Sequence, residues 1–290
     1  MSKVETILKN KRKWLSERDD LIDEEIEDAE DCFEEVSLES FIDLSDTLDV
    51  LANYYGARGC VRVADGESVG WDDIDTAVDY FFWSLKLRSE SFFKIQFLKS
   101  LKAGPNLTNY TGDTACVLAW FIATGQASQA TEASQLLTRM AASDAIDPGF
   151  WAQRTFEPFM LWLHGMHTGD SAPKELVHNS LSVYQQVIDA WDKTDALTTA
   201  ITGVCDYHLS HIDRSKQVAI PEFKFAPFDI VPVEVMAIQQ IRGKHDLATP
   251  EIKHDLMTLA DKIPGALSKP VEQDFLTRVR MAYYDFFGAA

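Results

Sequence analysis

The chain is expected to be all-α: a single domain over residues 1–290, built of roughly ten or more stacked antiparallel helices. Three observations predict this. Apolar residues recur at steps of three and four along most of the chain, the period of one helix face. No alternation of strand-like runs with helices suggests a doubly wound sheet. Glycine, proline or aspartate punctuates the periodic blocks, as connections between helices require.

The first periodic block is the acidic run "DDLIDEEIEDAEDCFEE", residues 19–35, which contains no lysine or arginine. Ile22, Ile26, Ala29, Phe33 and Val36 form a stripe through it, so it reads as an amphipathic helix within an N-terminal helical region, 1–36, and not as a disordered tail. "LESFIDLSDTLDVLANYYGARGCVRVA" carries Phe41, Leu44, Leu48, Leu51 and Tyr55 on one side. "WDDIDTAVDYFFWSLKLRSESFFKIQFLKSLKAG" opens with acids, stops at Gly104-Pro105, and has the apolar density of a buried central helix. Shorter helical blocks follow: "DTACVLAWFIATG", "SQATEASQLLTRMAAS", "GFWAQRTFEPFMLWLHGM", "PKELVHNSLSVYQQVIDAW" and "DALTTAITGVCDYHLSHI". Pro221, Pro227 and Pro232 forbid a helix over 215–235, which reads as a long loop packed down by its aromatics. The helical pattern resumes through "PVEVMAIQQIRG", "TPEIKHDLMTLADKI" and "VEQDFLTRVRMAYYDFFG".

Composition narrows the function. At 46% hydrophobic residues the chain can bury a core, and its formal net charge of −19 disfavours nucleic acid and anionic membrane as direct partners. It favours a basic partner, a cation, or nothing beyond solubility, the acidic run then being a solvated face. The first twenty residues lack the apolar segment of a secretion signal, no apolar run is long enough to span a bilayer, and Cys32, Cys60, Cys116 and Cys205 are widely spaced. Those features point to a cytoplasmic protein with reduced thiols, in which the sequons at Asn106 and Asn109 carry no glycan.

Motifs for catalysis or metal binding meet competing explanations. Gly66-Glu67-Ser68-Val69-Gly70 matches a nucleophile elbow, yet that motif needs a strand before its serine; a helix–helix connection with Asp72 capping the next helix is the alternative. Cys205, His208 and His211 stand at i, i+3 spacing but lack a fourth zinc ligand, against a partly buried cysteine and two surface histidines. His164 and His167 sit near a helix end marked by Gly165 and Gly169. The acids Asp19, Asp20, Asp23, Glu24, Glu27, Asp28 and Asp31 include i, i+4 pairs, but without the glycine turn of a calcium loop. Phosphate-loop and dinucleotide fingerprints are missing. The expectation is therefore no catalytic residues, no metal and no cofactor.

The self-repulsion of the acidic run suggests a surface meant for a basic partner. First choice for that surface is Asp23, Glu24, Glu27, Asp28, Asp31 and Glu34; second is the start of the long helix, Asp72, Asp73, Asp75 and Asp79, with Trp71 as an anchor or a core residue.

The block "FDIVPVEVMAIQQIRGKHDLATPEIKHDLMTLADKIP", with Pro232, Glu234, Ala237 and His254, resembles the end of the Immunity-49 family of bacterial polymorphic toxin systems; Asp255 stands where that pattern has proline. "YYGARGCVRVADGESVGWDDIDTAVDYFFWSLKLR" is similar to the family's helix pair, and the resemblance spans residues 45 to 265. It implies a non-enzymatic, all-α immunity protein that neutralises a cognate effector of a type VI or contact-dependent secretion system, often a nuclease, by occluding its cationic cleft. A helical scaffold that binds a basic partner through its acidic face is the alternative, and the oligomeric state stays open.

Overall fold

The computed structural model describes residues 1–18, 20–95, 107–143, 146–170, 176–177, 181–215, 218–264, 267 and 273–288. Among them the regular structure is helical. In chain order the helices are α1 Lys3–Leu15, α2 Leu21–Asp28, α3 Asp31–Glu34, α4 Leu38–Ala64, α5 Gly70–Ile95, α6 Thr111–Ala123, α7 Ala127–Ala141, α8 Pro148–Trp151, α9 Phe156–Thr168, α10 Val183–Asp189, α11 Thr194–Ser210, α12 Val233–Lys244, α13 Met257–Ala260 and α14 Asp274–Phe287. Among the described residues no helix is long and apolar enough to cross a membrane.

The sequence carries no composition shift to mark a boundary, but the backbone gathers into two compact units. One combines Glu5–Asn106 with Ile263–Ala290, and the other is Leu107–Lys262, with the first four residues divided between them.

The first unit is built on α4 and α5. Ser37 caps α4: its hydroxyl accepts from the Ser40 amide at 3.1 Å while the Ser40 hydroxyl accepts from the Ser37 amide at 2.7 Å. Of the expected stripe, Phe41, Leu44, Leu48 and Leu51 are fully buried, while Tyr55 is half-buried. Gly66, with φ +91°, turns the chain between the two helices. The helices then meet backbone to backbone. A Cβ on Gly59 would stand 2.6 Å from the Gly70 carbonyl, and one on Gly70 would stand 2.6 Å from the Gly59 carbonyl. Such contact admits only glycine. The motif Gly66-Glu67-Ser68-Val69-Gly70 is thus a helix–helix connection, and Asp72 lies inside the first turn of α5 instead of capping it.

The acidic run is helical but not one helix. The Ala29 amide still bonds the Glu25 carbonyl, whereas the Glu30 amide turns to Glu27, and α3 starts anew at Asp31. At the break, Arg278 of α14 holds both Glu30 carboxylate oxygens at 2.7 Å. Helix α14 returns to this unit from the far end of the sequence. Tyr283 and Tyr284 meet Trp83 of α5 edge-on at 5.4 and 5.9 Å. The expected stop of α5 at Gly104-Pro105 lies outside the described residues, as do Asn106 and Asp19.

The second unit is centred on α6, where every residue from Thr111 to Ile122 is buried. A helix that is apolar on all sides belongs inside. Over 215–235 no helix forms until α12, apart from 216–217, which lie outside the described residues. Phe223, Phe228, Ile230 and Val231 of this segment are buried. Gly112 lets α6 pass beside it, since a Cβ there would come within 3.0 Å of the Glu222 Cα. Two expected helices are shorter than their patterns. "GFWAQRTFEPFMLWLHGM" splits into α8 and α9, and "TPEIKHDLMTLADKI" yields only α13, ahead of which the His254 ring accepts the Leu256 amide at 3.1 Å. In "PKELVHNSLSVYQQVIDAW" only α10 is helical, with 173–175 and 178–180 outside the described residues.

Gly59→Ala should lower stability by about 1–3 kcal/mol, through overpacking against backbone that cannot yield. Gly243→Ala is the control: it lies in α12 with nothing within 4 Å of its added Cβ, and it should gain about 0.4–1 kcal/mol. Chemical denaturation followed by circular dichroism reads both.

Candidate partner-binding surface

Asp23, Glu24, Glu27 and Asp28 on α2 and Asp31 and Glu34 on α3 are all exposed. They are presented by the opposite side of the same segment. There Ala29 is buried and Ile22, Ile26, Phe33 and Val36 are half-buried. Asp23 and Glu27, Glu24 and Asp28, and Glu27 and Asp31 are each four residues apart, where like charges repel. The effect reaches Glu25, whose carboxyl is pushed up by burial and then by the charges of Asp28 and Glu24. No basic residue occupies the last turn of α2 to offset its acids. Glu30 is the acid of this segment that is answered: its hydrogen bond from Arg278 pulls it below the usual carboxylate range.

The second acidic patch is turned inward. Trp71 is 1% exposed, a core residue at the start of α5. Asp73 is buried and accepts from two guanidinium groups of α4: from Arg58 at 2.7 and 3.1 Å, and from Arg62 at 2.8 Å. Asp75 is buried and Asp72 half-buried. Burial pushes Asp79 up to about 6 against the pull of Arg280, with Asp75 adding to the rise. Arg280 approaches Asp79 at 3.5 Å from α14. These acids join α4 and α14 to α5, so Trp71, Asp73 and Asp75 are withdrawn from any partner.

The metal constellations also come apart. Cys205 and His208 are fully buried, which corrects the expectation of a surface histidine at 208. His208 Nδ1 lies 2.8 Å from Glu234 Oε1, and its ring stacks on Phe223. His211 Nδ1 bonds the Tyr207 carbonyl at 2.9 Å, and its ring stacks on Tyr207. His164 and His167 lie within α9, which ends at Gly169 with φ +83°, and burial lowers both. Among the described residues no three His, Cys, Asp or Glu side chains are grouped to hold a metal ion.

One arrangement has no signal in the sequence pattern. Inside the second unit Arg154 donates to Glu157 at 2.8 Å and pairs with Glu222 at 3.0 Å. Tyr207 donates to Glu222 and Thr111 to Glu157, each at 2.9 Å. Lys224 pairs with Asp113 at 2.9 Å. Glu157, Glu222 and Glu234 are all buried, and one oxygen of each has no hydrogen-bond partner. Glu157 and Glu222 share the one guanidinium of Arg154. Burial pushes Glu222 up to about 7 against the pull of Arg154, and Glu157 adds to the rise. The network ties the proline-rich segment to α6, α9 and α11.

No family model matches the chain, and neither a curated protein nor a solved structure does.

Because the Glu222 carboxyl is raised in the folded state, its contribution to stability is fully present below its ordinary value of 4.5 and is lost as pH rises through about 7. Glu222→Gln mimics the protonated form. Its melting temperature should therefore gain on that of the unmodified chain as pH climbs across this window, and a constant offset would refute the assignment. Asp73→Ala should cost about 2 kcal/mol by stranding Arg58 and Arg62. Its folded fraction should bind any partner unchanged, as stability and capture assays run side by side would show.

Proposed function

We propose that this chain is a toxin-neutralising immunity protein, non-enzymatic and acting in the cytoplasm, whose acidic face occludes the cationic cleft of a cognate nuclease effector. The observation that carries the reading is the α2–α3 face. It shows six exposed carboxylates on a segment docked to α4 through an apolar stripe, in a run free of lysine and arginine. A tail would solvate such charge at no cost to helix formation. Here it is held in place despite repulsion, a cost that a surface meeting positive charge would recover.

The mechanism is steric and electrostatic. A nuclease presents a basic cleft to the phosphate backbone, and the carboxylates on α2 and α3 take the place of the phosphates. Charge of opposite sign speeds encounter, which matters when free effector is lethal. The likeness of Pro232, Glu234, Ala237 and His254 to the Immunity-49 pattern points the same way. Glu234 also has a structural duty, since it is the partner of His208 in the core of the second unit.

Capture of the product of the adjacent gene at low and at high salt tests the reading. The protein should retain it and protect cells that express it. Asp23→Lys, Glu27→Lys and Asp31→Lys together should weaken capture by about tenfold or more at low salt, with the gap closing at high salt. No capture and no protection would overturn the antidote reading in favour of a helical scaffold for another basic protein. Capture by the reversed variant at full strength would remove the acidic face from the interface.

A further inference from the structure

Beside the acidic face, α3 and α14 leave an apolar groove of about 420 Å³. Phe33, Val36, Met281, Ala282 and Phe286 line it, and Arg278 and Asp285 stand at its rim. Large exposed hydrophobic side chains are few among the described residues, and they concentrate here: Met281 is 62% exposed, Phe286 43% and their neighbour Tyr284 41%. An apolar surface gathered on one helix marks an interaction site more often than scattered exposure does.

The rim selects the occupant. Arg278 is committed within the fold: it forks onto Glu30 and lies over the Phe33 ring at 4.3 Å. That leaves Asp285 on the rim, with the exposed Asp31 and Glu34 on the same short helix as Phe33, to set the sign of the surface around the groove. A second copy of this chain would bring the same acidic rim against it, on a molecule of net charge −19, and an anionic lipid surface would be repelled in the same way. A cationic segment is drawn in.

We infer that the groove between α3 and α14 anchors a short basic amphipathic segment of the partner, which seats an aliphatic or aromatic side chain against Met281 and Phe286 while its lysines or arginines meet Asp31, Glu34 and Asp285. The inference rests on the acidic-face reading and deepens it, because charge supplies the encounter and the apolar anchor supplies residence. Helix-in-groove recognition of this kind needs anchors at i, i+3 or i+4 and i+7.

A synthetic, fluorescently labelled peptide with leucines at those positions and lysines elsewhere is the probe, titrated against the full chain. Its controls are a scrambled peptide of identical composition and a peptide with glutamate in place of lysine. The full chain should bind the striped peptide about tenfold tighter than the scrambled one and should not bind the glutamate peptide. Met281→Lys should abolish that preference. Met281 is mostly exposed, so the change leaves the core closed. Phe286→Ser is the second variant, with its folding checked by melting, since Phe286 also touches Phe41 at 5.2 Å. Equal binding of striped and scrambled peptides, or an unchanged preference in Met281→Lys, would overturn the inference. The two readings fail separately. Capture of the adjacent gene product by Met281→Lys at full strength would remove the groove and keep the antidote. A groove-dependent peptide preference without capture would keep the groove and remove the antidote.

Discussion

The close approach of Gly59 and Gly70 is the constraint on which the first unit depends. With no Cβ between them, α4 and α5 touch through their backbones. Asp73 can reach Arg58 and Arg62 together only because the helices are so near. Tyr55 and Tyr80 stack across the pair at 5.6 Å for the same reason. On one flank α2 and α3 rest against α4; on another α14 rests against α5. The acidic face is thus a surface feature with a rigid foundation. Widening the α4–α5 gap would loosen the acids' support without touching an acid.

Much of this architecture was legible in the residues, and the failures are instructive. The bounds of α4 follow from its apolar stripe, its cap and the turn at Gly66. The inward and outward sides of the acidic run follow from Ile22, Ile26, Ala29, Phe33 and Val36. Its interruption at Glu30 does not, and neither does the clasp of Glu30 by Arg278, which comes from the far end of the sequence. The acids opening α5 look in sequence like those of α2. What separates them is the pair Arg58 and Arg62, one turn apart on α4, able to answer a carboxylate from across the hairpin. A carboxylate with two guanidinium partners belongs to the fold, and one surrounded by carboxylates belongs to the surface. His208 misled for a related reason: its i, i+3 neighbours suggest a shared ligand, whereas Glu234 arrives from the next helix and claims it.

The second unit shows a different use of charge. Its buried acids and their few cations are a poor source of net stability, since desolvation offsets most of the attraction. They do fix geometry. Arg154 donates to the Ile220 carbonyl at 3.0 Å and to Glu157, and pairs with Glu222 by charge, so it holds the proline-rich segment from two sides of its guanidinium. Proline denies that segment the regular hydrogen bonds of a helix, and side chains from α6, α9 and α11 supply the order instead.

The return of α14 has a consequence for how the molecule comes into being on the ribosome. Residues up to Ile95 are made early, but the helix that covers Trp83 and walls the groove begins at Asp274. At typical rates of synthesis that interval is roughly ten to forty seconds. Throughout it the nascent chain displays the finished sequence of its acidic run without the arginine that clasps Glu30 or the methionine that floors the groove. Until α14 is made, Trp83 lacks its edge-on cover from Tyr283 and Tyr284, and the groove lacks one of its walls.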